Sequence, residues 1–204
     1  MNHFTYFENP LKFSPLRDGL TNCDICEREK ICFDASLFYG EEQITAICPE
    51  CLADGKLTDM DIFTCEGDVE ELRSQLKDIH PAWSDKEIGD EVARKTTVLE
   101  KTTPHLVTWQ DWEWPCADGD YCKFIGYGSK DLYASLAPGT DGEQLFKNSF
   151  YDNGLEDDHI ESFRDGTLPE EAINDYEEST DFDTLFYVFK SLHSDTIVTV
   201  WDAS

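Results

Sequence analysis

Two C-x-x-C pairs, Cys23-Asp24-Ile25-Cys26 and Cys48-Pro49-Glu50-Cys51, stand 21 residues apart in the first third of the chain. Each pair sets two sulfurs close enough to share one ion, and two such pairs complete a tetrahedral, all-thiolate site for one structural Zn2+ at Cys23, Cys26, Cys48 and Cys51. The intervening chain must then double back. Lys30-Ile31-Cys32-Phe33 and Ser36-Leu37-Phe38-Tyr39 read as extended, Gly40-Glu41-Glu42 as a turn and Gln43-Ile44-Thr45-Ala46-Ile47 as a returning strand. Pro49 suits a first helical position and Gly55 the end of a short helix over Glu50–Asp54. Cys48 and Cys51 would then lie at a helix N-terminus, where backbone N–H groups favour thiolates. Hairpin, knuckle and helix describe a treble-clef or ribbon-like unit over residues 20–66. A thioredoxin-like dithiol would need a βαβ context and no second pair. Four thiolates leave no coordination position for substrate, so this zinc would scaffold rather than catalyse.

The chain holds eight cysteines in 204 residues. An even count implies a disulfide framework in short exported chains, but the opening Met1-Asn2-His3-Phe4-Thr5-Tyr6-Phe7-Glu8 has neither a basic nor an apolar leader segment. The expected compartment is the cytoplasm, with reduced thiols. Cys32 and Cys65 read as core residues. Cys116 and Cys122 frame the loop Ala117-Asp118-Gly119-Asp120-Tyr121, half of a metal site with no further C-x-x-C to complete it.

Forty-four acidic against 16 basic side chains leave a net charge of −28. Such a chain repels phosphate backbones and anionic membranes, which argues against nucleic-acid and membrane partners. Two readings stay open: a solvated acidic surface, or a docking face for a basic protein. Thirteen Phe, 8 Tyr and 5 Trp in a 40% hydrophobic composition argue for a folded chain. Residues 141–204 hold 17 acids and 3 bases. The turn-rich stretch 137–142 marks where this acidic region, 140–204, begins within a single compact unit, 1–204. Its candidate docking residues are Glu156, Asp157, Asp158, Glu177, Glu178, Asp181 and Asp183.

Several segments together resemble the CbrC family, small bacterial proteins of unassigned biochemical activity whose name is linked to colicin tolerance. The resemblance rests on Phe4-Thr5-Tyr6-Phe7-Glu8-Asn9-Pro10-Leu11, on the first C-x-x-C and on Cys48-Pro49-Glu50-Cys51-Leu52-Ala53-Asp54-Gly55. It continues through Thr103-Pro104, Thr108-Trp109-Gln110, Trp114-Pro115-Cys116 and Cys122-Lys123-Phe124-Ile125-Gly126. It covers about residues 4–194 in short islands. The family pattern ends in C-L-H-C, whereas this chain reads Ser191-Leu192-His193-Ser194. A serine hydroxyl is a poor zinc ligand, so the resemblance carries over the first site only. It also implies that the Cys116–Cys122 loop lies beside Ser191–Ser194.

Between the cysteine blocks, Val69–Leu76 reads as a helix, and Ser84-Asp85-Lys86-Glu87 is a capping box opening another to about Lys95. Trp109, Trp112 and Trp114 read as core packed behind the zinc hairpin; a ligand platform is the alternative. Pro169–Tyr176 resembles a short acidic helix, and Leu185–Phe189 with Thr196–Trp201 forms an antiparallel β pair. The expected class is α+β: strands at both ends, helices between. No G-x-S-x-G, P-loop, H-E-x-x-H or dinucleotide fingerprint is present. The sequence therefore reads as a non-enzymatic, zinc-stabilised interaction protein, and the resemblance implies protection against colicin-like toxins. An enzyme or small-ligand binder built on Trp109–Trp114 is the alternative.

Overall fold

The computed structural model describes residues 3–137, 141–151 and 155–204. Of the expected boundary turn, Pro138–Thr140 lie outside the described residues. The fold is α+β. Phe4, Tyr6 and Phe7 are buried, followed by the single helical turn α1 (Pro10–Phe13) with Pro at its start. β1 (Thr21–Asn22) and β2 (Glu29–Lys30) pair around the first cysteine pair. β3 (Phe33–Asp34), β4 (Tyr39–Gly40) and β5 (Ala46–Ile47) follow. β3 pairs antiparallel with β5, while β4 pairs with β6 (Ile62–Phe63). The expected hairpin is thus only two residues deep, and Tyr39 leaves it. Gly40 shows why: at φ 115° it lies against the Asp61 carbonyl, where any Cβ would collide.

The short helix α2 (Pro49–Ala53) starts on Pro49 and gives way to Gly55 at φ 68°. α3 (Val69–Ile79) is capped by Asp68 and buries Leu72 and Leu76. α4 (Asp85–Thr102) opens on the expected Ser84–Glu87 capping box. It runs past Lys95, because the buried stripe Ile88, Val92, Lys95, Leu99 continues for another turn before Pro104. Its end stitches the N-terminal region: Lys101 Nζ donates to the Met60 and Ile62 carbonyls at 2.8 and 2.6 Å.

β7 (Cys116–Ala117) and β8 (Asp120–Tyr121) form a hairpin. Its turn residues Asp118 and Gly119 both have positive φ, 56° and 75°, as a two-residue Asp-Gly turn requires. β9 (Lys123–Tyr127), β10 (Thr184–Lys190) and β11 (Ile197–Ala203) make an antiparallel sheet in the order β11-β10-β9. The expected C-terminal pair is therefore two-thirds of a sheet. Both of its faces are covered. Tyr187 and Phe189 face a core that also holds Phe124 and Trp114, while Phe186 and Val188 face a second cluster with Tyr133, Phe146 and Ile160.

That second cluster comes from α5 (Lys130–Leu136), α6 (Gly142–Asn148), α7 (Asp157–Ser162) and the π-helical turn Phe163–Thr167, so helices are not confined to the middle of the chain. The helix expected over Pro169–Tyr176 does not form. The Pro169 and Glu170 carbonyls instead accept the Lys130 and Asp131 N–H groups at the start of α5. Helix begins only at α8 (Tyr176–Ser179), capped by Asp175. The tryptophans also differ from expectation. Trp114 packs edge-on against Phe189 at 5.1 Å and donates to the Cys122 carbonyl at 2.7 Å, so it serves the C-terminal sheet rather than the hairpin. Trp112 is half-buried and Trp109 exposed.

Candidate metal centre

The knuckle Cys23–Cys26 is the turn between β1 and β2. It closes through Glu27 N–H to the Cys23 carbonyl at 2.8 Å, with Glu27 itself at φ 57°. Asp24, inside the first pair, draws the second pair alongside. Its Oδ2 accepts from Thr45 N–H, Thr45 Oγ1 and Ala46 N–H at 2.6, 3.1 and 3.0 Å, just ahead of Cys48. Those bonds outweigh burial and hold its carboxyl below the usual carboxylate range. Lys30 of β2 pairs with Glu50 of α2, joining the two halves from the outside.

As a result, the sulfurs of Cys23, Cys26, Cys48 and Cys51 lie within 4.8 Å of one another. Cys26 Sγ and Cys48 Sγ are 3.9 Å apart. A tetrahedron with about 2.3 Å metal–sulfur bonds has edges of about 3.8 Å, so the donor set fits one ion. The spacing is far beyond a disulfide, and all eight cysteines are free thiols. Burial raises the Cys23 pKa, but N–H donation from Cys48, Cys26 and Ile25 overcomes it and brings the thiol down to about 7. Cys48 N–H reaches Cys23 Sγ at 3.2 Å. Burial instead pushes Cys48 and Cys51 up in the absence of an ion. Cys32 is fully buried beside the cluster, and its thiol donates to the Thr21 carbonyl at 3.5 Å. Burial and the neighbouring sulfurs push it up to about 11, which keeps it protonated and outside the ligand set.

A family model matches residues 1–203. The chain belongs to the uncharacterised protein family UPF0167. This is the CbrC-type family whose motifs the sequence resembles. No solved structure matches the chain. In this UPF0167 member the Cys116–Cys122 hairpin does lie against Ser191–Ser194. There Asp118 Oδ2 accepts from Ser191 Oγ and Ser194 Oγ at 2.6 and 2.5 Å. Among the described residues, Cys116 and Cys122 join no metal-holding group; both are buried, and burial raises both thiols.

The seven candidate acids are all exposed. Glu156, Asp157 and Asp158 sit at the start of α7. Glu177, Glu178, Asp181 and Asp183 lie in and after α8, where Glu178 is occupied by Asn174 N–H at 2.7 Å. They thus form two groups on separate elements, and none joins an ion pair among the described residues. Two features were not anticipated. The buried pair Lys95–Asp120, which Tyr6 joins by donating to Asp120 at 2.9 Å, ties α4 to β8 and the N-terminus. Asp24 is the second: an acid inside a C-x-x-C carries no periodicity, and only the knuckle's geometry gives it a role. Cys65, read as core, is only half-buried and lines a cleft beside His105.

Proposed function

We propose that the four-cysteine cluster holds one structural Zn2+, and that this UPF0167 protein is a non-enzymatic, cytoplasmic binding protein whose acidic C-terminal part docks a basic protein partner. The cluster carries the zinc reading: four cysteine sulfurs within 4.8 Å of one another suit zinc and would leave no open position for chemistry. Zinc held by Cys23, Cys26, Cys48 and Cys51 would supply folding free energy to a region whose strands are two residues long. Elemental analysis of purified protein should give one zinc per chain, lost in C23S and C48S variants. A full-length protein without zinc would refute the assignment.

The docking role is supported by exposed carboxylates at 156–158 and 177–183 on a chain of net charge −28. The resemblance to CbrC-type proteins supplies a setting, tolerance to colicin-like toxins. A toxin that cuts nucleic acid must itself be basic, and an anionic protein associates with it rapidly by charge. Titration against a basic nuclease toxin should show affinity that falls steeply with salt and with E156K/D157K or E177K/D181K. Binding indifferent to salt and to both variants would remove this mechanism. The alternative, a small-ligand binder on the tryptophan segment, is favoured by one observation: Trp112 and Trp114 line a cleft together with His105.

A further inference from the structure

We propose that the cleft between β4, the Thr64–Glu66 segment and the Leu106–Trp114 loop binds an organic cation: one ammonium or guanidinium group on a short apolar stem. The cleft has a volume of about 330 Å³, within the range of small-molecule sites. Trp114 exchanges backbone hydrogen bonds with this segment, its N–H donating to the Glu66 carbonyl at 2.7 Å. The buried Asp202 of β11 anchors the loop by accepting Trp109 N–H at 2.6 Å. Tyr39 is stacked on Phe63, with ring centroids 5.4 Å apart.

The lining selects the charge of the ligand. Three aromatic side chains, Tyr39, Trp112 and Trp114, line the cleft with the exposed carboxylates Glu66 and Asp111, and no Lys or Arg lines it. Neither acid is in an ion pair among the described residues. The polar atom left on His105 points the same way. Its Nδ1–H donates to the Thr64 carbonyl at 2.8 Å, and burial lowers the ring's pKa, which favours the neutral form with Nε2 as acceptor. Aromatic rings, carboxylates and a ring nitrogen acceptor favour a donor-bearing cation, and an anionic ligand would face two carboxylates with no Lys or Arg to offset them. Size then separates an organic cation from a metal ion. Among the described residues only the four-cysteine cluster brings three or more His, Cys, Asp or Glu donor atoms within reach of one ion. Glu66, Asp111 and His105 are spread around the cleft and suit a cation with a body. Burial pushes the thiol of Cys65, at its wall, up, which disfavours the thiolate.

This site is separate from the C-terminal acids, so its test does not depend on their docking role. Zinc-loaded full-length protein would be titrated with butylguanidinium, its neutral isostere butylurea and anionic pentanoate, following the Trp112 indole N–H by NMR. Butylguanidinium should bind saturably and shift Trp112, with butylurea at least about tenfold weaker and pentanoate silent. E66Q/D111N, both at exposed positions, should weaken butylguanidinium about tenfold, and W112F about threefold. E156Q/D157N should leave it unchanged. Equal binding of butylurea would overturn the proposal. So would a loss in E156Q/D157N equal to that in E66Q/D111N, since the whole-protein field would then account for the binding. The tripeptide Gly-Arg-Gly identifies the source of the cation: tighter binding than butylguanidinium marks a protein side chain, weaker binding a free amine or guanidine.

Discussion

The chain closes two junctions by different chemistry. Near the N-terminus four thiols converge among strands of two residues each, and Phe33, Ile47 and Leu52 of the same region are fully buried in the main core. Near the C-terminus two loops meet at Asp118, Ser191 and Ser194 through hydroxyl–carboxylate hydrogen bonds. Behind that second junction stands a sheet with two seven-residue strands, its central strand packed by rings on both faces. On the proposed zinc reading, the difference gives the ion its role. A loop pair backed by long strands is held by hydrogen bonds worth about 1 kcal/mol each. An ion at the cysteine cluster would add about ten times as much to a region whose strands are two residues long.

Metal removal should produce the largest effect and can break the comparison outright. On chelation, or in C48S, the amides of residues 21–63 should lose hydrogen-exchange protection while those of Leu185–Phe189 keep theirs. Equal loss in both regions would make them one cooperative unit. The next effect lies in the sheet. Phe189 is fully buried against Trp114, Trp112 and Phe124, so F189A should lower stability by about 3–5 kcal/mol in urea unfolding. Zinc stoichiometry of the folded fraction should not change. Zinc lost along with the sheet would show that the cluster depends on it.

The four-cysteine cluster was legible because chelation imposes spacing: C-x-x-C twice, with Pro49 and Gly55 bounding the helix. The β10–β11 pair was legible because β-branched and aromatic residues crowd there. β9 was not: Lys123-Phe124-Ile125-Gly126-Tyr127 contains a glycine, and a short apolar run gives no periodicity of its own. Pro169–Tyr176 misled because proline at a first helical turn is equally good at leaving the chain extended, and here α5 claims its carbonyls. The cleft was half legible, since the tryptophans drew notice. Glu66, Tyr39 and His105 reach it from remote parts of the sequence, which no local pattern reports.

The serine junction offers a smaller test. Asp118 is exposed, and the hydroxyls of Ser191 and Ser194 hold its carboxyl below the usual range. A lowered folded pKa contributes stability above the unfolded value of about 3.9, and that stability is lost as pH falls through the folded value. D118A should therefore cost about 0.5–1.5 kcal/mol at pH 7, discounted for solvent, and less near pH 3. D118N, which keeps an acceptor, should cost less. A loss as large as that from F189A would mean the junction, and not the sheet behind it, holds this end together.

The smallest effect is a pH dependence at His105, on the N-terminal side of the comparison. His105 is buried, stacked edge-on near Tyr39, and bonded to the Thr64 carbonyl. Burial lowers its pKa from the ordinary value of 6.5, more than the Thr64 carbonyl and the Asp34 charge raise it. The folded protein therefore takes up this proton less readily than the unfolded chain. Its contribution is fully present above about pH 6.5 and is lost as pH falls toward the depressed folded value. Urea unfolding at steps between pH 7.5 and 5.5 should show stability falling with acid, and H105Q should flatten that slope. Every other titrating group is common to both proteins, so the difference between their slopes isolates the histidine. Parallel slopes would show that His105 adds no acid sensitivity.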